Sequence, residues 1–235
     1  MKTSFIETNN WNRLNEASAA LRELPEEEPR LGVVCGRTGL GKSMAIRRLA
    51  ILNGYAFLSA IDAWSPASML RALARELETY EHRERARNFE QCVAKLRDSG
   101  RHVIFDEADY VASDKHLLAT VRDLHDHTGC SIILVGEEGL PAKLERVPHF
   151  WGRVARRVQF SPLTGEEISL IAHKLAGIVL SDQLCEEIKT KSRGEFRRAK
   201  MLLRQLELAM RAQKGREADG GMIEAAWKAI ERKAA

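Results

Sequence analysis

Gly36-Arg-Thr-Gly-Leu-Gly-Lys42-Ser43 follows a short apolar run, Leu31-Gly-Val-Val-Cys35, and leads into a segment of helical spacing, Lys42–Leu52. That order constrains the chain more than any other feature. A buried strand has to end where the glycines begin. A helix has to start with its unpaired N–H groups aimed back at the turn. Glycine at 36, 39 and 41 lets the backbone wrap an anion closely, where side chains would clash or forbid the dihedrals. Lys42 supplies a point charge for β- and γ-phosphates, and the Ser43 hydroxyl supplies a ligand for Mg²⁺. Between a strand and a helix, the stretch reads as a polyphosphate cradle formed by Gly36, Arg37, Thr38, Gly39, Leu40, Gly41, Lys42, Ser43 and Met44.

The remainder of the first two thirds alternates strand and helix signals. Tyr55–Ala60 reads as a strand, and Ser65-Pro66 opens a helix with a capping hydroxyl and a proline at its first position. Met69, Leu70, Leu73 and Leu77 form its apolar face. A charged helix over roughly His82–Arg97 ends at Gly100, and His102-Val-Ile-Phe-Asp106 is a third strand. A helix around Lys115–His127, a strand at Ser131–Val135, a helix near Leu140–Arg146 and a last strand at Arg157–Phe160 follow. Beyond Pro162 only helices are expected, the first opened by the capping box Thr164-Gly-Glu-Glu167. The expected architecture is α/β: a parallel αβα sheet over residues 31–162, preceded by a helical segment (1–30) and followed by a small all-helical lid (163–235).

Composition closes off other classes. No stretch approaches the ~18 apolar residues of a membrane span, and residues 1–10 lack a signal peptide's apolar core, so a soluble, cytoplasmic protein is expected. Cys35, Cys92, Cys130 and Cys185 are scattered without a CxxC pair and read as reduced core thiols. His125-Asp-His127 places its imidazoles on opposite sides of a helix, which reads as a solvated helix end and not a metal site. Charge is uneven: residues 1–152 hold 20 Lys/Arg against 22 Asp/Glu, whereas 153–235 hold 17 against 11. Lys189–Arg216 alone has ten basic and two acidic residues, which suits a polyanionic partner as well as a solvated helix face.

Val103-Ile-Phe-Asp106-Glu107 is the second motif. An apolar strand brings Asp106 to the cleft beside the phosphate loop to hold Mg²⁺ through water, and Glu107 is placed to polarise the water that attacks a γ-phosphate. The letters Asp106-Glu-Ala-Asp109 also spell the name of an RNA helicase family, but such helicases need two sheet domains and this chain has room for one. Arg153, Arg156 and Arg157 stand just before the last strand, where an arginine can reach a neighbouring subunit's γ-phosphate; a surface-exposed basic turn is the alternative. Gly194-Glu-Phe-Arg197 opens a long lid helix, from which Arg197 can close on the nucleotide in cis.

This set of motifs resembles the AAA+ ATPases. Phe5-Ile-Glu-Thr8, Trp64-Ser-Pro66 with Met69-Leu70, Val135-Gly-Glu-Glu138 and Gly194-Glu-Phe-Arg-Arg198 look more narrowly like the DNA-transposition ATPases of Mu-like phages, the target-capture B-protein type. The resemblance implies hydrolysis of ATP with Mg²⁺, with Lys42, Ser43, Asp106 and Glu107 in one subunit, Arg153 as the favoured finger from the next, and Arg197 in cis. It implies ATP-dependent homo-oligomers, helical filaments or rings, on double-stranded DNA that recruit and stimulate a transposase, in a bacterial host's cytoplasm if phage-encoded. Lys115, in the loop after the Asp-Glu strand, and Arg71 and Arg75 are DNA-contact candidates. Lys200 and Arg204 offer a competing basic face on the lid helix. Two departures stand out: only about thirty residues precede the first strand, where the phage Mu protein has a further DNA-binding domain, and Glu137 takes the position of a polar sensor. A carboxylate there repels a γ-phosphate unless it is paired or protonated, and Glu137 is expected to meet a basic residue or to slow hydrolysis. The alternatives are another DNA-associated AAA+ protein, such as a helicase loader, or an ATP-switched scaffold in which hydrolysis only resets assembly.

Overall fold

The computed structural model describes residues 5–25, 27–212 and 218–234. Five strands form one parallel sheet: β1 (Leu31–Cys35), β2 (Ala56–Ser59), β3 (Val103–Asp106), β4 (Ile132–Gly136) and β5 (Val154–Gln159), in the spatial order β2-β3-β4-β1-β5. β1, β3 and β4 are buried at every position, as strands covered on both faces must be. The register sets Cys35 level with Gly136 on one side and Gln159 on the other, and Ser59 level with Asp106. Thus β4 stands between the strand that enters the phosphate loop and the strand that ends in Asp106.

The crossover helices follow the apolar spacing. α1 (Asn9–Glu23) precedes the sheet, and α2 (Lys42–Asn53) buries Ala45, Ile46, Leu49 and Ala50. α3 (Pro66–Glu76) starts with a Ser65/Ser68 capping box and buries Met69, Leu70 and Leu73. α4 (Arg85–Ser99) ends at Gly100 in the left-handed conformation that favours glycine. The α3 face and Cys92 and Leu96 of α4 join Phe105, Val121, Leu134 and Phe150 in one apolar core.

Three expectations are corrected here. Lys115 is not in a loop: a short helix, α5 (Asp109–Ser113), fills that connection, and Lys115 is the first residue of α6 (Lys115–Thr128), capped by Asp114. The last strand starts three residues early, so Arg156 and Arg157 lie within β5 and not before it; only Arg153 does. Two adjacent exposed arginines hid this edge strand from an apolar reading. His125 is buried, its Nδ1 3.0 Å from the Cys130 carbonyl, and only His127 and Asp126 face water at that helix end. Between β4 and β5 run α7 (Leu140–Glu145) and a four-residue helix, α8 (Pro148–Trp151).

The chain divides into two compact units: Trp11–Arg37 with Lys42–Phe160, and the segments up to Asn10, Thr38–Gly41 and from Ser161 onward. The second unit contains α9 (Gly165–Ile171), which continues as a π-helical turn over Ala172–Ala176, then α10 (Asp182–Ser192), α11 (Phe196–Ala212) and α12 (Gly220–Ala234). The Thr164/Glu167 capping box opens α9, and Glu167 also accepts from the Asn9 N–H at 2.7 Å. Ile6, Ile168, Ile188, Leu202, Leu206 and Ile223 form its core. Among the described residues, no helix is long and apolar enough to cross a membrane.

Candidate nucleotide site

The phosphate loop adopts the backbone its glycines permit. Gly36, Gly39 and Gly41 have φ of 155°, 89° and 91°. A Cβ on Gly36 would come within 2.9 Å of the Phe160 Cβ and 3.0 Å of its carbonyl oxygen. Lys42, the first residue of α2, turns its ammonium onto the Gly36 and Arg37 carbonyls at 2.5 and 3.0 Å. Ser43 and Met44 are exposed in the first turn of α2, while Leu40 is buried and anchors the loop.

The acids stand at the same end of the sheet, at the close of β3, with β4 between it and β1. Asp106 is buried, and its Oδ1 accepts the Glu107 N–H at 3.0 Å. Glu107 is exposed and has φ of 54°, a left-handed conformation that costs an ordinary side chain energy and recurs where function dictates the backbone. Burial, then the Asp106 charge, raises the Glu107 pKa, against the pull of Lys42. Burial lowers the Lys42 pKa, against Glu107, Glu137, Asp106 and Asp109. One cation and several carboxylates therefore share one electrostatic environment.

An unforeseen brace holds this cluster. Asp109 Oδ2 accepts from the Glu137 N–H at 2.7 Å, and Oδ1 accepts from Lys143 Nζ at 2.7 Å. It ties the helix after β3 to the end of β4. These partners are 28 and 34 residues apart, and no motif announces them.

In the second unit the Arg197 N–H donates to the Gly39 carbonyl at 3.1 Å, which sets the start of α11 on the phosphate loop; the Arg197 side chain is exposed. Glu195, beside Gly39, pairs with Arg198 at 3.0 Å. Lys200 and Arg204 are exposed on the same helix, and Lys214 and Arg216 lie outside the described residues. In the first unit, Lys115 is exposed, Arg71 is half-buried and Arg75 pairs with Glu81 at 3.1 Å.

Arg153 precedes β5 at the rim of a polar groove of about 980 Å³ shared with Glu27, Arg97, Asp126 and His149. Its Nε and Nη2 each donate to the Asp126 carboxylate at 2.7 Å, and Nη1 donates to the His149 carbonyl. Among the described residues no cluster of His, Cys, Asp and Glu could hold a metal by itself. Mg²⁺ fits here only as a shared ion, with Asp106 and Ser43 supplying hard oxygens and phosphates completing the shell. The glycine cradle, which has no room for a Cβ at Gly36, and a lysine of suppressed pKa fit a polyphosphate.

No curated protein sequence matches the chain. Solved structures do. The Aeropyrum pernix ORC2 protein, in ADPNP–ADP complexes, matches with a TM-score of 0.72 at 16% identity, covering 97% of this chain and 70% of that one. The Aeropyrum pernix ORC1 protein in complex with DNA matches at 0.63 and 19%, covering 97% and 66%. The Thermotoga maritima RuvB Holliday junction branch migration motor matches at 0.62 and 17%, covering 96% and 70%. The chain thus spans about two thirds of each, and at these identities the likeness establishes the fold. A family model described as an AAA domain matches residues 26–144, more than half of the sequence, and the chain belongs to that family.

Proposed function

We propose that this chain is a Mg²⁺-dependent AAA+ ATPase that assembles with ATP on double-stranded DNA and delivers that DNA to a transposase. The observation that supports the ATPase reading best is the meeting of Lys42, Asp106 and Glu107 at the same ends of the parallel strands around β4, where the two carboxylates act on the proton affinity of Lys42, and Asp106 and Lys42 on that of Glu107. Lys42 leaves the Gly36 and Arg37 carbonyls to take the β- and γ-phosphates. Ser43 and Asp106 would hold the metal. Mg²⁺ supplies neutralisation of charge on the phosphate oxygens. Glu107, its pKa raised by partial desolvation and by Asp106, orients and deprotonates the attacking water. Glu137 adds negative potential beside Lys42, which favours the protonated ammonium and slows turnover.

Arg197 closes on the nucleotide in cis from α11, and Arg153 reaches the γ-phosphate of a second copy. Such a finger is worth ~10³–10⁵ in rate. ATP then serves as the joint between subunits. The DNA part of the reading draws on the exposed basic residues Lys115, Lys200 and Arg204, with Arg71 and Arg75, and on the company of a DNA-bound ORC1 and a branch migration motor among structures of like fold. The transposase rests on the motifs shared with the Mu-like target-capture proteins. The domain limits 31–162 and 163–235 are part of the same proposal.

Electron micrographs of the protein with ATP, with and without duplex DNA, test it. Filaments that need both ATP and duplex support it. A closed ring indifferent to duplex overturns it, and tighter binding to single strands than to duplex would favour a helicase loader. Glu107→Gln separates motor from scaffold: loss of transposase stimulation with assembly intact makes hydrolysis essential, whereas retained stimulation reduces it to a reset.

A further inference from the structure

Asp126 lies in the last turn of α6, where the helix dipole presents its negative end and a carboxylate is unfavourable unless a cation answers it. The answering cation is Arg153, 27 residues on. The pair is made side-on: Nε to Oδ1 and Nη2 to Oδ2, both at 2.7 Å, which fixes the plane of the guanidinium as well as its position. The His149 carbonyl takes a third N–H from Nη1. The main chain is held too: the Arg153 N–H donates to the Phe150 carbonyl at 3.0 Å, and its carbonyl accepts from Leu31 at 3.1 Å.

Of five guanidinium N–H groups, three are thus committed, and one remains on each terminal nitrogen. An end-on phosphate needs one from each. The ion pair is about one third exposed on both sides, so the guanidinium is braced and still open to solvent. Arg156 and Arg157 differ: Arg156 donates to its neighbour Ala155, and Arg157 stacks on Trp151 with its carbon 5.0 Å from the ring centre. Among these three arginines, only Arg153 is braced by a carboxylate.

We propose that Asp126 is a positioning residue for Arg153, holding its guanidinium so that the two remaining N–H groups meet the γ-phosphate bound to a second copy. The inference rests on the reading of Arg153 as an arginine acting in trans. In this role Asp126 contacts neither the nucleotide nor the attacking water and acts only through Arg153.

A subunit-mixing experiment tests it. The acceptor carries Arg153→Ala, with an intact nucleotide site and no finger. The donor carries Glu107→Gln, with a finger and no turnover. Mixing them is expected to restore ATP turnover that neither shows alone. Adding Asp126→Ala to the donor is expected to lower the restored kcat by about 10- to 100-fold, the usual scale for a misplaced group, with KM for ATP unchanged because the nucleotide lies on the acceptor. Asp126→Glu in the donor is expected to recover part of the loss. Donor folding is checked by melting and by its own ATP binding, and Asp126→Asn serves if Asp126→Ala fails to fold. Undiminished restoration overturns the positioning role, and so does a rise, which would make Asp126 a brake. If the donor with Asp126 intact restores nothing, Arg153 does not act in trans and the positioning role falls with that reading.

Discussion

His102, the residue before β3, offers the sharpest test of how the sheet is held. Its Nδ1 accepts the Ser131 N–H at 2.9 Å, so the imidazole is neutral with its proton on Nε2. Burial pushes its pKa down from 6.5 to about 4, with help from the Arg22 and Arg30 charges. The Tyr55 ring, 5.5 Å away, adds no charge to offset them. The unfolded chain binds this proton near 6.5 and the folded chain only near 4. The stability due to neutral His102 is therefore complete above about 6.5 and lost as pH falls towards 4. The slope approaches ~1.4 kcal/mol per pH unit, about 3 kcal/mol across the window and about 2 kcal/mol between pH 7 and pH 5. His125 is shifted in the same direction, and carboxylates titrate below, so the parent alone does not isolate His102. His102→Asn does, because an amide oxygen can accept from Ser131 without titrating. Urea unfolding followed by tryptophan fluorescence, dominated by Trp11, Trp64 and Trp151 of the sheet unit, should show the parent losing about 2 kcal/mol more than the variant from pH 7 to pH 5. Parallel losses would refute the argument, whatever the variant's absolute stability.

Other outcomes follow from single contacts. Asp109→Ala removes a charged acceptor from the Glu137 N–H and a half-exposed ion pair with Lys143, and should cost about 2–3 kcal/mol, most of it from the first. Asp109→Asn should cost less than half as much, and amide exchange at Glu137 should accelerate in the first and little in the second. Gly36→Ala and Gly100→Ala both place a side chain at positive φ, but only the first meets another residue, Phe160. Melting should show about 1 kcal/mol lost in Gly100→Ala with nucleotide affinity unchanged, whereas Gly36→Ala should lose affinity in a fluorescent-nucleotide titration. For Glu107 the folded pKa is raised, so ionisation weighs against the fold above that pKa and the weight lifts as pH falls. Glu107→Gln should then be at least as stable as the parent at neutral pH, with the gap closing in acid, and the acid limb of the parent's turnover should lie above the ordinary glutamate pKa.

The parallel sheet and its helical successor were legible because their signals are contiguous. Leu31–Cys35 is an unbroken apolar run, Ser65-Pro66 and Thr164–Glu167 are local capping chemistry, and Gly100 stops a helix where a left-handed residue is needed. The same contiguity made the phosphate loop and Asp106-Glu107 readable as motifs. What escaped was either too short or too distant. α8 has four residues, and β5 sets two consecutive exposed arginines between partly buried Ala155 and buried Val158, so neither produces an apolar period. Arg30 is buried and donates to the Pro25 and Gly129 carbonyls at 3.1 Å, which no local pattern foretells. The Asp109–Lys143 and Asp126–Arg153 pairs join residues 34 and 27 apart, and charge alone does not say which of many acids a given base will meet.

β5 is the last strand of the sheet, and it exposes Arg156 and Arg157 side by side. Successive side chains of a strand point to opposite faces, so a stranger's strand approaching this border meets a fixed charge above and below. The border is thus hostile to the backbone pairing that seeds irreversible aggregates. On the proposed reading, in which copies gather on DNA with ATP as the joint between them, that hostility has a value of its own. Copies are kept from fusing through their sheets, and association is left to contacts that a nucleotide can make and its loss can undo.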